Sequence, residues 1–314
     1  MPEWLVERGI GETRCVLVEG SEIIEARVLF DGSVVAGTVL EAVLKQTGRP
    51  AIAAAGKGEF LLPSDAPGVT EGARLFIEVT REAIPGAEPW KRPLGRVSDG
   101  PARPTSPIAG ERLAFPGAGD RLEEAGWSEL IDEARSGIVG FPGGELRVSP
   151  TPAMTLIDVD GHLLAPELAL AGAAAAARAI RRHGIGGSIG IDLPTLAGRA
   201  QRQSVAAAID AHLPQPFERT AMNGFGFIQV VRPRRHASLF ELAQDRAAFE
   251  ARALLRRAAF EAGGAKRLAA HPAVVAVIEA EPNWLEALAG QVGGAVTLRA
   301  DASIPMHGGY VESP

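Results

Sequence analysis

Three aspartates are the residues of this chain most suited to chemistry. Asp158 and Asp160 close the run TLIDVDG, and Asp192 closes GGSIGID. Side chains two apart on a strand share a face, so Asp158 and Asp160 project together. Clustered carboxylates suit Mg²⁺ or Mn²⁺, hard ions that take carboxylate and water oxygens. Such an ion activates a water and neutralises charge building on a phosphate oxygen, which is what phosphodiester cleavage requires. A plainer reading stands beside this one. Asp160-Gly161 is a good turn, and Asp192, close to Pro194, is placed to cap the next element.

The elements that must position these acids are legible around them. Leu146, Val148, Met154, Leu156 and Ile157 alternate as a strand would. A helix follows, with Pro166 and Glu167 in its first turn, an alanine-rich body to Ile180, and Arg181, Arg182 and His183 before Gly184. Ser188 to Asp192 is a second short apolar strand. Strand, helix, strand is a βαβ unit whose parallel strands bring their C-terminal ends to one sheet edge, where open α/β sheets place their sites.

Basic residues gather nearby. From Arg178 to Arg235 there are nine arginines against Asp192, Asp210 and Glu218, inside a chain of net charge -6. The total argues against wholesale polyanion binding, but a local excess steers a nucleic acid. Arg199 and Arg202 lie at a helix start, where the dipole disfavours cations and a phosphate partner would compensate. Arg232, Arg234 and Arg235 end a strand and read equally as a solvated run or an RNA contact. Phe60, in Glu59-Phe60-Leu61-Leu62-Pro63, would stack a base or fill a small barrel. The six histidines show no metal-ligand spacing, and no Walker loop, nucleophile elbow or GxGxxG fingerprint occurs.

At 314 residues, 46% apolar and 22% charged, the chain is expected to be globular and to carry two or three domains. No apolar run suits a bilayer and the N-terminus lacks a signal-peptide core, so the expected location is cytoplasmic, without a membrane partner. Cys15 stands alone, which excludes an internal disulfide and a cysteine-built zinc site. The expected class is mixed α/β. Residues 1–81 read as β-rich, a small barrel or a sheet carrying one. Residues 82–135 read as a linker broken by Pro85, Pro89, Pro93, Pro101, Pro104, Pro107 and Pro116, closing in a helix from about Arg121 to Arg135. Residues 136–236 hold the βαβ unit. In 237–314, a capping box at Ser238 to Glu241 opens a long helix to about Ala262; a strand at Val274 to Glu279, a helix near Trp284 and a strand at Val296 to Arg299 follow.

The runs GGELRVSPTPAMTLIDVDG and GGSIGID resemble the metal-binding segments of the RNase E/G family of bacterial endoribonucleases. The resemblance implies that Asp158 and Asp192 hold a catalytic Mg²⁺, while Asp160 stands where the family has Asn and is expected to act with them as a catalytic residue, orienting the ion or joining its ligands. Arg199 and Arg202 match basic residues after the second aspartate, and Phe225-Gly226 with Arg232 and Arg234 is similar to the family's Phe-Gly strand. GEFLLP and VTEGARLFIEVTREAI resemble its OB-type RNA-binding domain, which would put Phe60 on RNA, with Lys91 and Arg92 as looser counterparts. By the same likeness the N-terminal part is RNase H-like and OB-type, the central domain DNase I-like and the C-terminal domain small and α/β.

The family's 5′-phosphate sensor and its zinc-linking cysteine pair have no counterpart here. The resemblance therefore implies a shortened, Mg²⁺-dependent endoribonuclease that cuts single-stranded RNA, without zinc. A homodimer is expected through the C-terminal helix bearing Trp284, Leu285 and Leu288. Two other readings compete: a catalytically weak RNA-binding protein of the same descent, and a metal-dependent phosphodiesterase acting on a small nucleotide in a closed pocket.

Overall fold

The computed structural model describes residues 1–56, 58–86, 91–106 and 108–312. Strands β1 (Glu3–Arg8), β2 (Glu12–Glu19), β3 (Glu22–Phe30), β4 (Val39–Gln46), β5 (Ala51–Ala55), β6 (Gly58–Leu62), β7 (Arg74–Arg81), β8 (Leu94–Ser98) and β9 (Glu111–Leu113) come first. Helices α1 (Arg121–Glu124) and α2 (Trp127–Ser136), strands β10 (Ile138–Phe141), β11 (Gly144–Pro150) and β12 (Thr155–Gly161), and helix α3 (Ala165–Arg182) follow. Next are β13 (Gly187–Asp192), α4 (Arg199–His212), β14 (Glu218–Arg219), β15 (Phe227–Arg232), α5 (Leu239–Leu242) and α6 (Arg246–Phe260). The chain finishes with β16 (Lys266–Ala270), α7 (Pro272–Ala280), α8 (Pro282–Val292), β17 (Val296–Ala300) and β18 (Tyr310–Glu312).

The fold is mixed α/β and divides into two compact units, 1–31 with 108–129 and 242–314, and 32–107 with 130–241. The stretch 1–81 is β-rich as expected, holding β1 to β7 and four of the five barrel strands, but these strands are divided between the two units rather than forming one part. The stretch 82–135 is no simple linker either. It supplies β8, β9, α1 and α2, and the helix expected from Arg121 breaks at Gly126, whose φ is +92°. Pro89 and Pro107 lie outside the described residues.

In the first unit, β3-β2-β1-β9 form one sheet and β17-β16-β18 another. The segment AVVAVIEA is helix α7, not the expected strand. Pro272 opens it, the His271 ring accepts from the Ala273 N–H, and buried Val274, Val275 and Ile278 share one helical face. Its β-branched residues suggested a strand, but packing and capping override that weak propensity. The long helix expected from Ser238 also divides. Ser238 and Glu241 exchange their capping-box bonds, yet α5 stops at Leu242 and Asp245 caps a new start at α6. Trp284 and Leu288 are buried in this unit's core with Leu285 packed against them, so the face expected to join two chains is used internally.

The second unit holds a closed barrel of order β4-β5-β6-β8-β7, with β6 and β8 parallel. Leu44, Phe60, Leu62 and Ile77 fill it. The unit's other sheet has the order β10-β11-β12-β13-β15-β14. Only β12 and β13 are parallel, joined across α3 as the βαβ reading requires. Ile157, Val159, Ile189 and Ile191 bury one face with Ala169, Ala173, Ala176 and Ile180 of α3. Small residues let the helix come close: a Cβ on Gly172 would stand 2.3 Å from Val159 Cγ1. The polar members of β12 are thereby turned outward. Among the described residues no helix is long and apolar enough to cross a membrane.

Candidate functional site

Register brings two of the three acids side by side. Asp158 and Asp192 are direct partners across the parallel β12–β13 pair, where neighbouring strands lie about 4.8 Å apart. Burial of Thr155, Ile157 and Val159 sends Leu156, Asp158 and Asp160 to the open face, and burial of Ile189 and Ile191 sends Asp192 to an exposed position. On the other side of β12, Arg147 is the register partner of Asp158, and Glu145 of Asp160. Arg147 Nη2 donates to Glu145 Oε1 at 2.7 Å, while its Nε lies 3.8 Å from Asp160 Oδ2.

The electrostatics are those of an under-compensated site. Partial desolvation, then the charges of Asp160 and Asp192, raise the Asp158 carboxyl above its ordinary pKa. The Val159 N–H and Arg147 oppose that rise. Among the described residues, no cation lies within ion-pairing distance of Asp158 or Asp192.

Among the described residues, no three His, Cys, Asp or Glu side chains converge tightly enough to hold a metal ion by themselves. Asp160 lies two residues further along β12, its Oδ2 3.8 Å from Arg147 Nε, so the residues that could hold a metal are the pair Asp158 and Asp192. Two carboxylates fit Mg²⁺, which keeps several waters and completes its shell with substrate phosphate oxygens.

The loop after Asp192 leads into α4. Arg199 opens that helix behind Gly198, which supplies no side-chain cap, and it is exposed. Arg202 Nη1 donates to the Leu196 and Ala197 carbonyls at 2.6 and 2.8 Å, so it braces the loop. Both line a cavity of ≈ 480 Å³ with Gln203, Arg219 and Met222. Arg219 is committed to Asp210, its Nε donating to Oδ1 at 2.7 Å.

Arg232 and Arg234 do not join the aspartates. In the antiparallel β13–β15 pair Arg232 faces Gly187 while Phe227 faces Asp192, which puts Arg232 about 17 Å along the sheet at its other end. Its Nη1 donates to the Ile185 carbonyl at 3.3 Å. Arg234 pairs with Glu241, the residue that also accepts from the Ser238 hydroxyl. Arg81 stands beside this knot, its pKa lowered by burial and then by Arg234.

Phe60 is 1% exposed in the barrel core and cannot stack on RNA; its alternation with Leu62 buries it. Lys91 is half-buried, and its carbonyl accepts from the Ile84 N–H at 2.9 Å. Arg92 pairs with Glu59 at 2.8 Å. His183 is fully buried, with Nε2 2.9 Å from Glu133 Oε2. Cys15 is buried and its thiol is pushed up to about 11, far from a reactive thiolate.

Sequence reasoning gave too little weight to Phe225. It is 85% exposed on the turn that precedes β15, and an aromatic between two glycines after Asn223 was the available signal. No protein-family model matches the chain, and no curated protein matches it significantly.

Proposed function

We propose that this protein is a Mg²⁺-dependent endoribonuclease acting on single-stranded RNA, a shortened form of the RNase E/G type, with Mn²⁺ as a substitute ion. One observation carries the reading: Asp158 and Asp192 are register partners at the open end of the parallel strand pair, with no cation pairing them among the described residues. Exposed like charges side by side are unfavourable unless a cation joins them.

Asp158 and Asp192 would hold the ion. When bound, Mg²⁺ supplies an activated water and offsets the charge that develops on the phosphate. Asp160 deepens the negative potential and draws Arg147 toward the same edge. Arg199 meets an RNA phosphate at the start of α4, and Arg202 holds the loop that positions it. Hydrolysis adds water across the P–O3′ bond and leaves a 5′-phosphate and a 3′-hydroxyl.

The aspartates lie on an exposed face rather than in an enclosed cavity, which favours a polymer over a small nucleotide. The strand order of the barrel supports an OB-type module, with Lys91 as an RNA contact outside the cleavage edge. The test is incubation of a fluorescent single-stranded RNA in Mg²⁺ and in EDTA, with mapping of product ends. Metal-dependent internal cuts bearing 5′-phosphates are expected; no cuts, or 2′,3′-cyclic phosphates, would overturn the proposal.

A further inference from the structure

Of the eleven phenylalanines, Phe225 alone is exposed; the other ten are buried or half-buried. Its ring forgoes about 2 kcal/mol that burial would return. Yet its backbone is held from several sides. Asn223 Oδ1 accepts from the N–H groups of Phe225 and Phe227 at 2.9 and 3.0 Å. Asn223 N–H donates to the Phe227 carbonyl at 3.1 Å, and Leu193 N–H donates to the Gly226 carbonyl at 3.2 Å. Thr195 Oγ1 donates to the Phe225 carbonyl at 3.3 Å. Gly226 has φ +94°, and a Cβ there would stand 2.1 Å from the Leu193 carbonyl oxygen, so only glycine permits this close approach.

The turn is tied directly to the acid edge. Leu193 follows Asp192 in the chain, and Phe227 is the register partner of Asp192. Phe225 stands two residues beyond that partner. A bare aromatic ring carried on a braced backbone beside a paired-carboxylate edge suits the π face of a nucleobase.

We infer that Phe225 is a base-stacking platform that seats a nucleotide flanking the scissile phosphate of single-stranded RNA. The inference rests on the endoribonuclease reading and deepens it. The ring offers no hydrogen-bonding group, so every base is accepted and an abasic nucleotide is not.

The experiment uses the full chain and a short single-stranded RNA, with binding followed by fluorescence anisotropy in EDTA. Phe225→Leu keeps an apolar side chain without a π face, and Phe225→Trp restores one. Leu is expected to weaken binding about 10-fold and Trp to recover it. RNAs carrying one abasic nucleotide at successive positions supply the decisive comparison. At one position the wild type should lose binding while Phe225→Leu loses nothing further. Equal binding by wild type and Phe225→Leu, or equal abasic losses in both at every position, overturns the inference.

Cleavage of the same RNAs in Mg²⁺ separates the two readings. Position-specific binding loss without any cleavage by the wild type removes the nuclease and keeps the platform. Normal cleavage with an indifferent Phe225→Leu keeps the nuclease and removes the platform. A wild type that binds no RNA removes both.

Discussion

The side chain of Arg14 is 1% exposed and meets Glu7 and Glu12 at 2.7 Å each, whereas Asp158 faces Asp160 and Asp192 with no cation in pairing distance among the described residues. Around Arg14 the matching is nearly complete. Arg256 reaches Glu7 at 3.1 Å and Asp120 at 2.6 Å, and the rings of Phe115 and Trp127 cover the Arg14 guanidinium at 5.4 and 5.9 Å. Even Gly9 is required there, because a Cβ would stand 2.4 Å from Arg14 Nη1. Buried charge that finds its partners inside the chain is architecture. Charge left unmatched at an exposed sheet edge is available to a ligand, and on the proposed reading that ligand is a cation.

That contrast can be broken at either end. Arg14→Ala strands Glu7 and Glu12 in the interior and should cost about 3–5 kcal/mol, read as a lower urea midpoint; a loss under about 1 kcal/mol would mean the network is not what holds the first unit. Phe60→Ala opens a cavity in the barrel at a similar cost of about 3–5 kcal/mol. It should lower the unfolding midpoint without selectively changing RNA affinity in the protein that remains folded. A selective loss of affinity would return Phe60 to the RNA surface.

Smaller effects sharpen the comparison among the arginines. Arg199→Ala should weaken RNA binding and lower the slope of log affinity against log salt by about one. Arg234→Ala, whose partner is Glu241, should leave that slope unchanged. Equal slopes for the two variants would contradict the assignment of Arg199 to phosphate.

The smallest effect concerns the acids. Because the Asp158 carboxyl is raised in the folded state, the fold binds its proton more tightly than the unfolded chain does. Stability from this group is therefore gained as pH falls through the raised value and lost as pH climbs above it. In EDTA at neutral pH, Asp158→Asn should raise Tm, and added Mg²⁺ should raise Tm of the wild type only. A lower Tm for the variant would mean that Asp158 is a structural carboxylate.

The βαβ unit was legible because alternation, the alanine helix and its caps agreed at every level. That unit put Asp158 and Asp192 at one sheet edge; their register partnership is a product of the β12–β13 pairing. The remainder depended on long-range pairing that local sequence does not carry. β8 closes a barrel from inside a proline-rich stretch, and β9 adds to β1 from far along the chain. α7 looked like a strand because a valine-rich run satisfies both periods over so short a length. The resemblance made Arg232 and Arg234 RNA contacts that serve the same site as the acids, but an antiparallel partner carries them to the opposite end of the sheet. Phe60 is buried because its strand face is the one the barrel encloses, whereas Phe225 is exposed because it lies on the turn that precedes β15; neither outcome is written in the local sequence.

If Asp158 and Asp192 together hold the ion that cuts RNA, an Asp158→Asn, Asp192→Asn double variant loses the reaction while keeping the fold. Cleavage of single-stranded RNA in Mg²⁺ should fall by about 10³-fold or more in the variant, with circular dichroism unchanged and RNA binding in EDTA undiminished. A variant that folds, binds and still cuts at the wild-type rate would show that the two aspartates do not hold the catalytic ion.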